Sequence, residues 1–162
     1  MRAGGSKGKG SSFEREICIA LSKWVTKGEK VDCFWRSAMS GGRATVAKGL
    51  VRQAGDITAV APEGHKLTDD FYIECKFYKN LSLDCLIKGK GTLLDMWNDT
   101  ECKAMVYGRT PILIFKQNHW PTVLATNSAG VISFNLKKIL LLSASTMHLV
   151  KLDTLLDIPF PL

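Results

Sequence analysis

"FYIECKFYKN", residues 71–80, is the stretch whose reading decides the fold of this chain. In a β-strand successive side chains point to opposite faces, so Phe71, Ile73, Cys75 and Phe77 share one face and Tyr72, Glu74, Lys76 and Tyr78 the other. An apolar face predicts a strand laid on a core. The second face holds a carboxylate and an ammonium side by side between two tyrosines. A solvated ion pair on a strand explains Glu74 with Lys76 and is worth little energetically. Whether the pair does chemistry depends on what the neighbouring elements bring to it.

Working outward, "DITAVAP" (56–62) reads as a second strand with Asp56 at its start. The polar link "EGHKLTDD" (63–70) predicts an antiparallel hairpin between the two, with His65 in the solvated connection. Upstream, "VDCFWRS" (31–37) is a strand by its β-branched and aromatic content. It runs into "AMSGGRATVAKGLVRQAG" (38–55), a long basic loop carrying Ser40, Arg43, Lys48 and Arg52. Long loops in compact domains are commonly functional or disordered. In "SSFEREICIALSKWVTKG", Phe13, Ile17, Leu21 and Trp24 fall at helical spacing, Gly28 marks a stop, and Ser11 with Glu14 fits a capping box. Downstream, "KGKG" (88–91) predicts a turn before a helix over 92–107, and "PILIFKQ" and "TVLAT" are two further strands. Residues 127–162 are apolar and carry no clear period.

The order helix, three strands, helix, two strands predicts one α/β domain, a mixed central sheet flanked by helices. A chain of 162 residues is long enough for one sizeable core. Residues 1–10 read as a flexible basic arm, 11–126 as the core domain, and 127–162 as an extension of it. "ILLLSAS" and "DIPFPL" in that extension could supply dimer surface or core. No apolar run approaches a membrane span, and the start has no apolar segment behind its charges, unlike a secretory signal. Five cysteines without a Cys-x-x-Cys pair suit reduced thiols in a cytosol. Three dispersed histidines argue against a structural zinc.

The net charge of +7 is unevenly spread: residues 1–52 hold 11 Lys and Arg against 4 Asp and Glu, and residues 53–162 hold 11 against 11. A basic segment of this kind suits a polyanion, because each neutralised phosphate releases condensed counterions; a solubilising arm is the plainer alternative. Phosphodiester hydrolysis needs oxygen ligands for a hard divalent ion and a cation to orient water or steady charge on phosphate. Asp56, Glu74 and Lys76 are such a set, provided the strand register brings Asp56 to Glu74.

"GDITAV…FYIECK" resembles the PD-(D/E)xK nuclease core, with Asp56, Glu74 and Lys76 as its two acids and lysine. "GSSFEREICIALSKW" and "FWRSAMSGG" sharpen the likeness: they resemble the first helix and the catalytic loop of archaeal-type Holliday-junction resolvases, a kind of enzyme found also in phages. "TPILIFK" is similar to a later sheet strand of that family. The resemblance spans about residues 10–126. It implies a restriction-endonuclease-like fold and a Mg²⁺-dependent DNA endonuclease, with Mn²⁺ able to substitute, that resolves four-way junctions as a homodimer without any small-molecule cofactor. It implies that Asp56, Glu74 and Glu14 hold the metal and that Lys76 positions or activates the attacking water. Arg15 and Arg36, with Arg43, Lys48 and Arg52 of the loop, become candidate DNA-backbone contacts, and Ser40 lies beside the scissile phosphate or merely turns the chain. Gly55 stands where the family has proline, at a position that supplies no chemistry. Nucleases acting on linear, nicked, mismatched or single-stranded DNA, and a non-catalytic DNA-binding protein of the same fold, are the alternatives.

Overall fold

The computed structural model describes residues 5–37, 54–137, 141–142 and 146–161. In chain order its elements are α1 (Gly5–Val25), β1 (Phe34–Arg36), β2 (Ile57–Ala59), α2 (Pro62–Asp70), β3 (Phe71–Tyr78), α3 (Cys85–Lys88), α4 (Thr92–Val106), β4 (Thr110–Gln117), β5 (Val123–Thr126), α5 (Ser128–Ser133), β6 (Leu141–Leu142), β7 (His148–Lys151) and α6 (Leu152–Leu156). The larger sheet has the order β3-β4-β5-β7-β6; β1 and β2 form a separate two-stranded ribbon. β3 and β4 run parallel from Phe71↔Thr110 to Tyr78↔Gln117, and the remaining pairs are antiparallel. The expected α/β architecture, a mixed sheet flanked by helices, is the one observed.

Side-chain alternation divides the core in two. Ile73, Cys75, Ile112, Ile114, Leu124 and Val150 face α1, where Phe13, Ile17, Leu21 and Trp24 form the buried stripe expected from their spacing. Leu113, Phe115, Val123, Ala125 and Leu149 face the opposite way, onto Leu93, Met96 and Trp97 of α4. With helices on both sides, β3 and β4 are buried on both faces, as parallel strands usually are.

Two sequence expectations are corrected. Residues 62–70 form α2, not a hairpin link: Pro62 sits in its first turn, Glu63 is acidic at its N-terminus, and Gly64, Leu67 and Thr68 are buried. β2 therefore pairs with β1, through Phe34↔Ala59, Trp35↔Thr58 and Arg36↔Ile57. Second, α1 begins at Gly5, so residues 5–10 of the expected arm are helical; Ser11 and Glu14 lie inside the helix, and the capping box has no terminus to cap. Gly28 does end this segment, with φ +93° and its N–H donating to the Lys23 carbonyl at 2.7 Å. The described residues of 127–162, expected as an extension of the same domain, take part in its sheet and core. β7 and β6 complete the sheet, and Phe134, Val150, Leu152 and Leu155 enter the main core. From "DIPFPL", the Ile158 carbonyl accepts the Trp24 indole N–H at 2.6 Å and Phe160 packs edge-on against that ring.

Candidate active site

The site forms where β2 begins, at the open edge of β3. Gly55 makes this approach possible. Its φ is +89°, and a Cβ there would lie 2.6 Å from the Ile73 carbonyl oxygen, so another residue meets both backbone strain and a clash. The departure from proline is thus structural in purpose. One residue on, the Asp56 N–H donates to the Ile73 carbonyl at 2.8 Å, and the Ser37 N–H donates to the Asp56 carbonyl at 2.9 Å. The Asp56 side chain then accepts the Cys75 N–H on Oδ2 at 2.9 Å. Asp56 is fastened on both sides, to the end of β1 and to the middle of β3. The register that the sequence left open puts it beside Glu74.

Glu74 and Lys76 point from β3 toward the α4 side of the sheet, two residues apart on one face. Lys76 Nζ lies 2.5 Å from Glu74 Oε1 and 3.6 Å from Asp56 Oδ2. The side chains of Asp56 and Glu74 are each 8% exposed and that of Lys76 32%, so the ammonium is the part of the group that reaches solvent. A surface ion pair does not look like this: both acids are inside the fold. The second oxygen of Glu74, Oε2, accepts the Tyr72 hydroxyl at 3.1 Å, and the Tyr72 ring stacks on Tyr107 with centroids 5.9 Å apart. Tyr72 is a residue of the site to which the sequence reading assigned no role. Its i,i+2 relation to Glu74 on one strand face was the available signal.

The electrostatics follow from burial. Desolvation first, and then Glu74, raise the Asp56 carboxyl to about 6, against the pull of Lys76. Burial alone lowers the pKa of Lys76, but Asp56 and Glu74 more than offset it and hold the ammonium above its ordinary value. Lys76 is therefore a cation, and in this setting a donor rather than a base. Burial pushes Tyr72 up as well, with Glu74 adding to it, so its hydroxyl stays a donor. From α4, Lys103 lies within the field of Glu74 and pairs with Asp99 at 2.7 Å.

Glu14 approaches from the other layer. Arg36 Nε donates to Glu14 Oε2 at 2.5 Å, and the Glu14 charge is felt at Asp56 and at the buried Cys18, whose thiol burial pushes up to about 12. Ser22 sets this geometry: its hydroxyl donates to the Cys18 carbonyl and accepts the Cys33 and Phe34 N–H groups, tying β1 to α1. Arg36, expected on phosphate, is thus engaged with Glu14 beside the site. Arg15 is exposed on α1. Ser40, Arg43, Lys48 and Arg52 lie outside the described residues.

Two buried carboxylates with one shared ammonium are a donor set suited to a hard divalent ion, which supplements one or two carboxylates with waters and substrate oxygens. Among the described residues there is no group of three or more His, Cys, Asp or Glu side chains around one point, so Glu14 is adjacent to the pair rather than clustered with it. Nor, among them, is any helix long and apolar enough to cross a membrane. No curated protein and no solved structure matches the chain. The family described as "Phage putative PDDEXK endonuclease" matches residues 5–154, nearly the whole chain, and the chain belongs to this family of PD-(D/E)xK nucleases.

Proposed function

We propose that this protein is a Mg²⁺-dependent DNA endonuclease whose site is Asp56, Glu74 and Lys76. The observation that carries the reading is the junction of β2 with β3, where Lys76 Nζ lies 2.5 Å from Glu74 and 3.6 Å from Asp56. Asp56 and Glu74 would hold the metal, with Glu14 joining once Arg36 turns to phosphate, and Mn²⁺ would substitute. Bound there, the ion supplies Lewis acidity: it neutralises phosphate charge and lowers the pKa of water. The chain's own residues do the rest. Lys76, kept charged by its two acids, orients the attacking water and steadies the charge that develops on the phosphoryl oxygens. Tyr72 holds the Glu74 carboxylate by its second oxygen. Arg15, Arg36, Arg43, Lys48 and Arg52, with Ser40 at the turn, contact the DNA backbone, which explains why the charge excess lies in residues 1–52.

The finer reading is resolution of four-way junctions by paired symmetric nicks in a homodimer, since two cuts related by a two-fold need two sites so related. It rests on the likeness of "GSSFEREICIALSKW" and "FWRSAMSGG" to junction resolvases. The second reading is cleavage of other DNA, linear, nicked, mismatched or single-stranded, with which the family match is equally compatible, since it names an endonuclease and no substrate. A denaturing gel separates them. Labelled junction and linear duplex of the same sequence are incubated with limiting protein and Mg²⁺. Paired symmetric nicks in the junction alone are the expected result; equal cutting of both keeps the nuclease and removes the junction.

A further inference from the structure

We infer that Trp35 stacks on a base exposed by a break in DNA stacking, next to the scissile phosphate, and so selects DNA whose stack is interrupted. The inference rests on the nuclease reading above. It starts from exposure: the Trp35 side chain lies on the surface at 58% relative accessibility, whereas Trp24 and Trp97 are buried with their indole N–H groups bonded to Ile158 and Thr146. Among the described residues no aromatic ring stacks on it. Its place on the ribbon gives the exposure a use. The pairs Phe34↔Ala59 and Arg36↔Ile57 put their side chains on one face, where Phe34 and Ile57 are buried in the core. Trp35↔Thr58 therefore lies on the outward face, and Val60, 60% exposed, shares it. The same register, continued by the Ser37 N–H to Asp56 carbonyl bond, puts Asp56 opposite Ser37, two residues along from Trp35 on that face.

Two strand residues span roughly 7 Å, about two steps of a stacked DNA strand at 3.4 Å each. A phosphate brought to Asp56 and Lys76 thus carries its neighbouring bases past the indole. In continuous duplex those bases are covered by their neighbours and offer no face. At a nick, a branch point or an unpaired nucleotide one face is open, and stacking on it requires no sequence. Arg36, the next residue, lies on the inward face and is bonded to Glu14, so the indole plane is what β1 offers to an unstacked base.

The test measures binding of the full chain in EDTA, where no cutting occurs, to a continuous duplex and to the same duplex carrying a single-nucleotide gap. Wild type, Trp35→Phe and Trp35→Ala are compared, with thermal melts as the folding control. Trp35→Ala is expected to weaken binding to the gapped DNA about tenfold and to the continuous duplex less than twofold, with Trp35→Phe retaining most of the affinity. The gapped DNA should quench tryptophan emission in wild type and leave Trp35→Phe unquenched. Equal loss on both DNAs, or no loss on either, would overturn the inference while leaving the nuclease intact. Unchanged DNA binding with lost self-association would overturn it too, and assign the face to a second copy of the chain. Wild type that binds neither DNA in EDTA overturns this inference, and the nuclease reading is then decided separately, by cleavage in Mg²⁺.

Discussion

Asp56 and Glu74 are two carboxylates withdrawn from water side by side, which a folded chain sustains only with positive charge close at hand. Lys76 supplies one such charge, and a divalent ion would supply two more. The metal-free chain should therefore show the strain in its pH dependence. The Asp56 pKa rises from 3.8 unfolded to about 6 folded, so folding takes up a proton between those values. Its stabilising share is complete below about pH 4 and is lost as pH climbs through about 6. Urea titrations in EDTA should show stability falling across that window by on the order of 3 kcal/mol from this group. Asp56→Asn should flatten that slope, and saturating Mg²⁺ should flatten it in wild type. A slope unchanged by either would mean that Asp56 ionises freely. The acids and the lysine were legible in sequence because they occupy two short strands with a fixed period. Tyr72 was not, because an aromatic on a strand face has an ordinary packing role and only the hydroxyl contact at 3.1 Å distinguishes it.

Among the elements, α2 shows how residues expected side by side can be brought together by a different connection from the expected one. "PEGHKLTDD" is polar, and Leu67 is its one large buried apolar side chain, too little for a helical stripe. The proline in its first turn and the following glutamate were the local signals available. The hairpin reading made the approach of Asp56 to Glu74 conditional on a β2–β3 register; the approach comes instead from the start of β2 abutting β3 after a helical excursion. Gly55 is what permits it. Gly55→Ala places a methyl against the Ile73 carbonyl at a φ that L-residues avoid, and should cost about 1–3 kcal/mol. Melting temperature should fall, and cleavage should fall further than the loss of folded protein explains, because Asp56 shifts with the backbone. Cleavage that merely tracks the folded fraction would show that this approach is not what holds Asp56 in place.

For the molecule as a whole, the sheet is completed by strands the sequence did not disclose. β6 and β7 are two and four residues long, and β7 is recognisable as a strand through its pairing with β5 rather than through any pattern of its own. Its residues Leu149 and Val150 divide between the two cores on opposite faces, so neighbouring positions are both apolar and no alternation survives. The charge distribution was visible from the start and gains its meaning from the fold, since the basic first third includes α1 and β1, which flank the site. The central claim is that Asp56, Glu74 and Lys76 together make this family member a metal-dependent nuclease. It is tested most directly by timing cleavage of a labelled DNA substrate by wild type, Asp56→Ala, Glu74→Ala and Lys76→Ala, in Mg²⁺ and in EDTA, with melting curves for each protein. Wild type should cut in Mg²⁺ and not in EDTA; Asp56→Ala and Glu74→Ala should remain folded, Lys76→Ala should melt lower because it leaves two buried acids without their cation, and each should lose about 10²–10⁴-fold in rate beyond any loss of folded protein. Folded variants that cut as fast as wild type, or cutting that persists in EDTA, would contradict the account.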